Sequence, residues 1–300
     1  EAVIGRTVTD FLAQSPSARV VVVDDGSDDN TSGAAKAAGG DRVIVVRREL
    51  PNARTGKGPA LNAGFRELVA HVESTGVDPS QVVVCVMDAD GLLSDGCLDA
   101  ALTLFTDTKV GGAQIPVEIR NRPTGDPDDH RSLWVRLLAI YQDYEFYALS
   151  ARQQVARGAT GSVSLGGNGQ FTRLSALLSV SPTEPWSQSL TEDLDLAISL
   201  MVRGWELQCL PDHSVNQEGV ESMRKLIRQR TRWMQGHILC SKRIPEVWRS
   251  SLTPFDASLE AVSYLSVPCL LIMPWSLICL VNIPLTIGYL AGVALSPSRT

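Results

Sequence analysis

The stretch Val82-Val83-Val84-Cys85-Val86-Met87-Asp88-Ala89-Asp90 constrains this chain more than any other. An unbroken apolar run that stops at carboxylates predicts a buried parallel strand whose C-terminal end opens into a site. Side chains alternate along a strand, so Asp88 and Asp90 are expected on the same side. With no basic residue close by in sequence, the two carboxylates repel each other unless a cation lies between them. Hard oxygen ligands favour Mg²⁺ or Mn²⁺, and such an ion attracts a diphosphate. A strand followed by an Asp-rich turn is the plainer alternative, and Asp-x-Asp alone does not separate the two.

The 300 residues, 44% hydrophobic and 20% charged, suffice for one large domain plus an appendage. A net charge of −6 argues against a general nucleic-acid binder. Six cysteines without a CxxC pair, mostly in apolar runs, suggest buried thiols in a reducing compartment. His237 and Cys240 lie one helical turn apart and read as packing. The chain opens in a helix, Ala2 to Gln14, where an α/β domain normally opens with a strand. The expectation is a fragment whose first strand is missing.

Ala18 to Val23 is a β-branched run ending in Asp24-Asp25-Gly26-Ser27 and feeding a helix from Thr31, the first half of a βαβ unit. Ligands of open parallel sheets bind beyond such strand ends. The absence of G-x-G-x-x-G weighs against a dinucleotide site. Carboxylates here can accept hydrogen bonds from a base or ribose, and they serve equally well as a capped, solvated turn. After a strand at Val43 to Arg47 comes Gly56-Lys57-Gly58, where glycines and one lysine before a helix suit the approach of a phosphate. Arg120 to Arg131, with Asn121-Arg122-Pro123-Thr124-Gly125-Asp126-Pro127, is a polar, surface-exposed loop. Leu133 to Arg157 has helical periodicity and many aromatics, expected mainly in the core with some facing a membrane surface. The glycines of Gly166-Gly167-Asn168-Gly169 indicate backbone close to something, or a tight turn.

Ser189-Leu190-Thr191-Glu192 has capping-box spacing, and Thr191 is an alternative N-cap. Either places Glu192 and Asp193 in the first turn of a helix, where the macrodipole favours their ionised forms. An ionised carboxylate at a pocket mouth can take a proton from an attacking hydroxyl. A basic helix near 221–243 carries Gln229, Arg232 and Trp233 on one face, suited to sugar stacking or diphosphate contact, or to anionic lipid. Residues 261–298 contain no charge and are long enough for a membrane span, with Pro268, Pro274, Asn282 and Pro284 breaking it. Lys242, Arg243 and Arg249 beside it put the globular part, 1–248, on the cytoplasmic side.

Taken in order, Asp24-Asp25-Gly26-Ser27, Gly56-Lys57-Gly58, Asp88-Ala89-Asp90, Gly167-Asn168-Gly169, Thr191-Glu192-Asp193 and Gln229-Arg230-Thr231-Arg232-Trp233 resemble the membrane-integrated family 2 glycosyltransferases. That group includes cellulose, chitin and hyaluronan synthases and bacterial glycolipid glucosyltransferases. The resemblance implies a GT-A fold, a mixed and mostly parallel sheet with flanking helices, followed by the membrane segment. It implies a UDP-sugar donor, a lipid or glycan acceptor, membrane lipids as surroundings, and Mg²⁺ or Mn²⁺ as cofactor. Asp24, Asp25, Lys57 and Asp88 look like nucleotide contacts, with Asp90 and Asp88 at the metal. Asp193 looks like the base of an inverting transfer that forms a β-glycosidic bond. Gln229, Arg232 and Trp233, with Glu192, Gly167 and Asn168, look like the diphosphate and acceptor groups. The implied location is the inner (plasma) membrane, catalytic domain in the cytoplasm. A processive polysaccharide synthase, or a non-catalytic membrane protein that keeps a sugar-nucleotide domain, is the alternative; a soluble oxidoreductase is disfavoured.

Overall fold

The computed structural model describes residues 2–123 and 129–295. Helix α1 (Ala2–Gln14) precedes β1 (Val20–Asp24), α2 (Thr31–Gly39) and β2 (Val43–Arg47), and β1 pairs with β2 in parallel. Val8 and Leu12 of α1 and Ala35 of α2 close over Val22 and Val43 of this small sheet. Helix α3 (Lys57–Thr75) leads to β3 (Val83–Val86), the short β4 (Leu92–Leu93) and α4 (Cys97–Leu104). Strands β5 (Val110–Gln114) and β6 (Val117–Ile119) follow.

A long helical arm comes next, built from α5 (Leu133–Tyr144), a π-helical stretch (Glu145–Ala151) and α6 (Arg152–Gly158). Then come β7 (Gln170–Arg173), α7 (Leu174–Val180), α8 (Glu192–Met201), β8 (Glu206–Cys209) and β9 (Val215–Gln217). The basic helix α9 (Met223–Cys240), α10 (Ile244–Arg249), α11 (Phe255–Val267) and α12 (Met273–Leu295) end the chain. Part of the predicted polar loop, Thr124 to Asp128, lies outside the described residues, as do residues 296–298 of the expected membrane segment.

The central sheet has the order β3-β7-β5-β8 and is mixed. Its strand β3 is not paired in parallel, as its apolar run had suggested, but antiparallel to β7. Burial on both faces explains the run. Val84 and Val86 join the core formed with α3, α7 and α8, while Val83 and Cys85 pack under α4. Such burial makes parallel and central antiparallel strands alike in sequence.

Arg173, at the end of β7, is buried and donates to the carbonyls of Ser80, Val110, Phe105 and Asp107. One guanidinium thus ties the ends of three segments beneath the sheet. All six cysteines are free thiols, and His237 bonds to the Tyr264 carbonyl, in line with packing roles.

Two sequence expectations change. The aromatics of the arm are mostly outside the core, since Trp134, Tyr141, Tyr144 and Tyr147 are each more than half exposed. The prolines do not break the last apolar segment, because the helix continues through a π-helical turn at Pro268–Ile272 and past Pro284. A widened turn accommodates the missing N–H and the ring without ending the helix. Helix α11 packs on the domain through Ala257, Ala261 and Leu265, and most apolar side chains from Ile272 to Ile287 stand exposed. Phe255–Gly288 is the one helix among the described residues long and apolar enough to cross a membrane.

Arg173→Met should lower unfolding stability by about 2–4 kcal/mol, the range for losing charged hydrogen bonds and stranding buried carbonyls. Chemical denaturation of the purified protein checks this; a loss within ~0.5 kcal/mol, as at an ordinary surface site, would contradict it.

Candidate active site

The antiparallel pairing of β7 with β3 decides what stands beside the aspartates. It places the start of β7, and the glycine loop before it, at the C-terminal end of β3, where Gly169 N–H donates to the Val86 carbonyl at 3.0 Å. Gly169 has φ 72°, and a Cβ there would lie 2.6 Å from Ile115, so this position requires glycine. Asn168 is buried and clips three segments together. Its Oδ1 accepts from Asp88 N–H at 3.1 Å, its Nδ2 donates to Gln217 at 2.8 Å, and its carbonyl accepts from Gln114 at 2.8 Å.

Asp88 and Asp90 lie beyond the strand, in a turn closed by Gly91 N–H on the Asp88 carbonyl at 3.0 Å. Strand alternation therefore does not orient them. Nor is the pair without a basic partner. Lys57, at the first turn of α3, donates to Asp88 Oδ1 at 2.5 Å and to the Gly167 carbonyl at 2.6 Å. The partner was invisible locally because it comes from 31 residues upstream.

The Asp90 carboxylate accepts a single long bond among the described residues, 3.3 Å from Glu218 N–H, and the Asp90 carbonyl accepts from Arg120 at 3.3 Å. No three His, Cys, Asp or Glu converge among those residues to form an all-protein metal cage. One or two carboxylates beside open space is instead the donor set of a Mg²⁺-like ion that keeps waters and takes substrate phosphates.

The Lys57 charge also acts on the acids of α8, Glu192 and Asp193. A Cβ on Gly167 would lie 2.8 Å from Lys57 Nζ and 3.4 Å from Asp193 Oδ2, so the glycine leaves room for both groups. Gly58 has a different use from the phosphate approach expected of it. A Cβ there would meet the Ser187 carbonyl at 2.1 Å, so the glycine lets α3 start against the segment leading into α8.

Thr191 is the N-cap of α8 but makes no side-chain cap bond; its hydroxyl lies 3.5 Å from Cys240 Sγ. The capping box does not form. Asp193 instead accepts from Leu194 N–H at 2.8 Å. The macrodipole had suggested low pKa values here, yet both acids sit above the usual carboxylate range. Burial pushes Asp193 up, against the Leu194 N–H and the Lys57 charge that pull it down. Burial and then the Asp193 charge raise Glu192, against Lys57 and Arg232.

The acidic turn after β1 forms a neighbouring cleft of about 420 Å³, lined by Asp25, Gly26, Ser27, Arg54 and, at its border with the Asp88–Asp90 turn, Ala89. Thr7 of α1 donates to the Ala89 carbonyl at 2.7 Å and fixes that border. Asp24 does not face the cleft as a nucleotide contact. It is buried, and its oxygens accept from Ser27 N–H at 2.8 Å, Arg47 at 2.7 Å and the Ser32 hydroxyl. These bonds outweigh burial and hold its carboxyl below the usual range. Asp24 thereby holds the turn that presents Asp25. The Asp25 carboxylate is part exposed and braced by Arg48 at 2.5 Å and by Arg54 N–H at 3.0 Å. Arg48, Arg54, Gln114 and Gln217 were not found from sequence. A buried glutamine ending an apolar strand was a signal for Gln114; the others gave none.

The predicted triplet on α9 divides. Gly236 packs its helix against Thr191, and Arg232, one turn earlier, is exposed and lies close enough to lower the Glu192 pKa. Trp233 packs edge-on to Phe146 at 6.2 Å and under Arg230 at 4.2 Å. Gln229 accepts from Arg230 at 2.6 Å, and Arg230 pairs with Glu145. Of the three, Arg232 is the one whose charge acts on Glu192.

A model of the glycosyltransferase-like family 2 matches residues 1–236. The chain belongs to glycosyltransferase family 2. Named relatives include β-monoglucosyldiacylglycerol synthases of Synechocystis sp., 32% identical over 207 residues (68% of this chain and 37% of that protein), and of Trichormus variabilis, 29% identical over 197 residues (65% and 36%). The chain thus spans little more than a third of these relatives' length.

Family 2 membership agrees with the fold, which is of the GT-A type. The mannosyltransferase PcManGT of Pyrobaculum calidifontis, solved with GDP-Man and Mn²⁺, superposes with TM-score 0.59 at 22% identity, covering 99% of this chain and 72% of that one. The UDP-GlcNAc complex of Staphylococcus aureus TarS gives 0.55 at 13% identity, covering 89% and 68%.

A carboxyl with a raised pKa stabilises the fold while protonated, and this contribution is lost as pH rises through its folded value. Asp193→Asn stays neutral throughout. At pH 7 it should melt at a higher temperature than the wild type, with the difference shrinking as pH falls into the range where Asp193 protonates. Calorimetry across pH tests this; a variant that melts lower at pH 7 would contradict a raised Asp193 pKa.

Proposed function

We propose that the protein is an inverting glycosyltransferase that moves a sugar from a UDP-sugar to a lipid hydroxyl at a membrane surface. The observation that carries this reading is the convergence on Lys57 of Asp88, beside the Asp25 cleft, and Asp193, at the head of α8. In this reading Asp25 and Arg54 contact the base and ribose in the cleft, and Lys57 and Asp88 hold the donor's phosphate end. Asp193 accepts the proton of the acceptor hydroxyl as its oxygen bonds to the anomeric carbon. The bond from that carbon to the diphosphate oxygen breaks on the opposite face, inverting the centre, and UDP leaves with the electron pair. A raised pKa makes Asp193 a stronger base than an exposed aspartate, and the Lys57 charge favours its ionised form. Arg232 offsets the Glu192 charge beside it.

The residues fit a divalent cation, Mg²⁺ or Mn²⁺, held by Asp90 with Asp88 adjacent, and such an ion when bound offsets charge on the diphosphate. Support for a lipid acceptor comes from the relatives named as glucosyldiacylglycerol synthases and from the exposed apolar helix Phe255–Gly288. That helix serves as a membrane anchor, with the domain on the cytoplasmic side of the inner membrane.

The test incubates membranes holding the full-length protein with radiolabelled UDP-glucose, other UDP-sugars and GDP-mannose, followed by lipid extraction. The expected result is label from a UDP-sugar in the lipid fraction, reduced about 10²–10⁴-fold by Asp193→Asn with UDP binding retained. Label entering insoluble polymer would favour chain synthesis, and turnover unchanged in Asp193→Asn would remove the base assignment. Asp90→Ala should weaken UDP binding in the presence of Mn²⁺ and leave it unchanged without metal, as read by titration calorimetry.

A further inference from the structure

The segment that ends β9 and runs on toward α9 is held in a way the catalytic reading does not use. Each residue from Gln217 to Val220 is bonded to a side chain from another part of the chain. Asn168 of the glycine loop donates to the Gln217 side chain at 2.8 Å. Glu218 gives its N–H to Asp90 Oδ2 at 3.3 Å, and its carboxylate accepts from Arg120 at 3.0 Å. Asn121, just after β6, grips the Gly219 backbone twice: Oδ1 accepts from Gly219 N–H at 2.7 Å and Nδ2 donates to the Gly219 carbonyl at 3.1 Å. Gln142 of α5 does the same to Val220, at 2.9 Å in both directions.

The two side-chain amides supply the backbone partners that a neighbouring strand would give. Gln142 is 1% exposed and also donates to the Leu138 carbonyl at 3.0 Å. Gly219 is buried, and a Cβ on it would lie 2.8 Å from Ile119 and 3.0 Å from Asn121 Oδ1. Asp143, next to Gln142, accepts from Ile119 N–H at 3.2 Å and from Arg122 at 3.1 Å, so α5 holds the end of β6 and the 217–220 segment together. A polar network satisfied to this degree specifies one arrangement of its backbone.

What that arrangement presents is Asp90. Arg120, paired with Glu218, donates to the Asp90 carbonyl, while Glu218 N–H makes the one bond to the Asp90 carboxylate found among the described residues. Asp90 is thus located through its main chain and through one carboxylate oxygen, and the other oxygen is left for an ion. Grips that served folding alone would be expected on β9, yet β4 and β6 already pair that strand. The Asn121 and Gln142 grips fall beyond it, directly after the residue that meets Asp90.

We propose that Asn121 and Gln142 are positioning residues for the divalent cation of the donor site. By fixing Gly219 and Val220 they hold the Glu218 N–H, and through it Asp90, in the geometry that takes the ion. This deepens the preceding reading and rests on its assignment of Asp90. Carboxylate ligands depend on such outer partners, whose loss costs roughly 10–100-fold in metal affinity.

The test titrates purified full-length protein in detergent with Mn²⁺ in the presence of UDP, reading free Mn²⁺ by its electron paramagnetic resonance signal. Gln142→Met and Asn121→Ala should each weaken Mn²⁺ binding about tenfold. UDP affinity without metal should stay within about twofold of the wild type. The Mn²⁺ concentration for half-maximal sugar transfer should rise by the same factor, with the rate recovering at saturating Mn²⁺. Arg173→Met, which loosens the opposite end of β7, controls for a merely structural loss and should bind Mn²⁺ within about twofold of the wild type. Asn121 is partly exposed, so its variant keeps the test open where Gln142→Met does not fold. Mn²⁺ binding unchanged in the folded variants overturns the proposal, and so does an equal loss in Arg173→Met. A wild type that binds UDP equally with and without Mn²⁺ also overturns it, while sugar transfer under those conditions would leave the enzymatic reading standing. Weakened Mn²⁺ binding in the variants of a wild type that transfers no sugar would support the positioning role and count against the enzymatic reading alone.

Discussion

The ammonium group of Lys57 is the interaction on which the arrangement depends. Acids from two separate elements, Asp88 after β3 and Asp193 at the head of α8, would repel one another across a partly buried space. A single compact cation, hydrogen-bonded to Asp88 and the Gly167 carbonyl, allows them to stand together. The lysine reaches both only because glycine occupies two positions: Gly58 lets α3 begin against the Ser187 carbonyl, and Gly167 leaves the volume the ammonium group fills. A charge network of this kind favours function over stability, since burial raises the Glu192 and Asp193 carboxyls above their ordinary range.

The sheet supplies the geometry. Because β7 runs antiparallel between β3 and β5, its leading loop returns to the carboxyl end of β3. There Asn168 bonds to the Asp88 turn, to Gln217 of β9 and to Gln114 of β5. The same topology carries α8 under the sheet with its N-terminus beside that loop. The small β1–β2 sheet contributes the Asp25 cleft, which meets the Asp88–Asp90 turn at Ala89.

Much of this was legible in the sequence where the signal is local. The helix Ala2–Gln14 and the strand Val43–Arg47 followed from periodicity and β-branching, as did the exposed apolar helix from its lack of charge. Pairing direction was not legible, because β3 is buried on both faces and hydropathy carries no sign of its partners. Charge compensation was hidden for the same reason: Lys57, Asp88 and Asp193 are far apart in the chain, so adjacency said nothing of their pairing. At Asp24, neighbouring acids in one turn proved to have opposite fates, one buried under Ser27, Ser32 and Arg47 and one facing the cleft. On α9 nothing in the sequence marked the contacts Trp233 makes with Phe146 and Arg230, which come from the arm and from its own helix. The arm aromatics read as core because periodicity marks an apolar face without saying whether protein or lipid covers it.

The most direct measurement of the central claim is kcat/KM for sugar transfer as a function of pH, in the wild type and in Lys57→Met. The acid limb reports protonation of the base in the free enzyme. Lys57 lowers the Asp193 pKa, so removing its charge should move that limb to higher pH, on top of any loss in the plateau rate. An acid limb at the same pH in both proteins would contradict the claim that one lysine joins the donor-side and base-side acids.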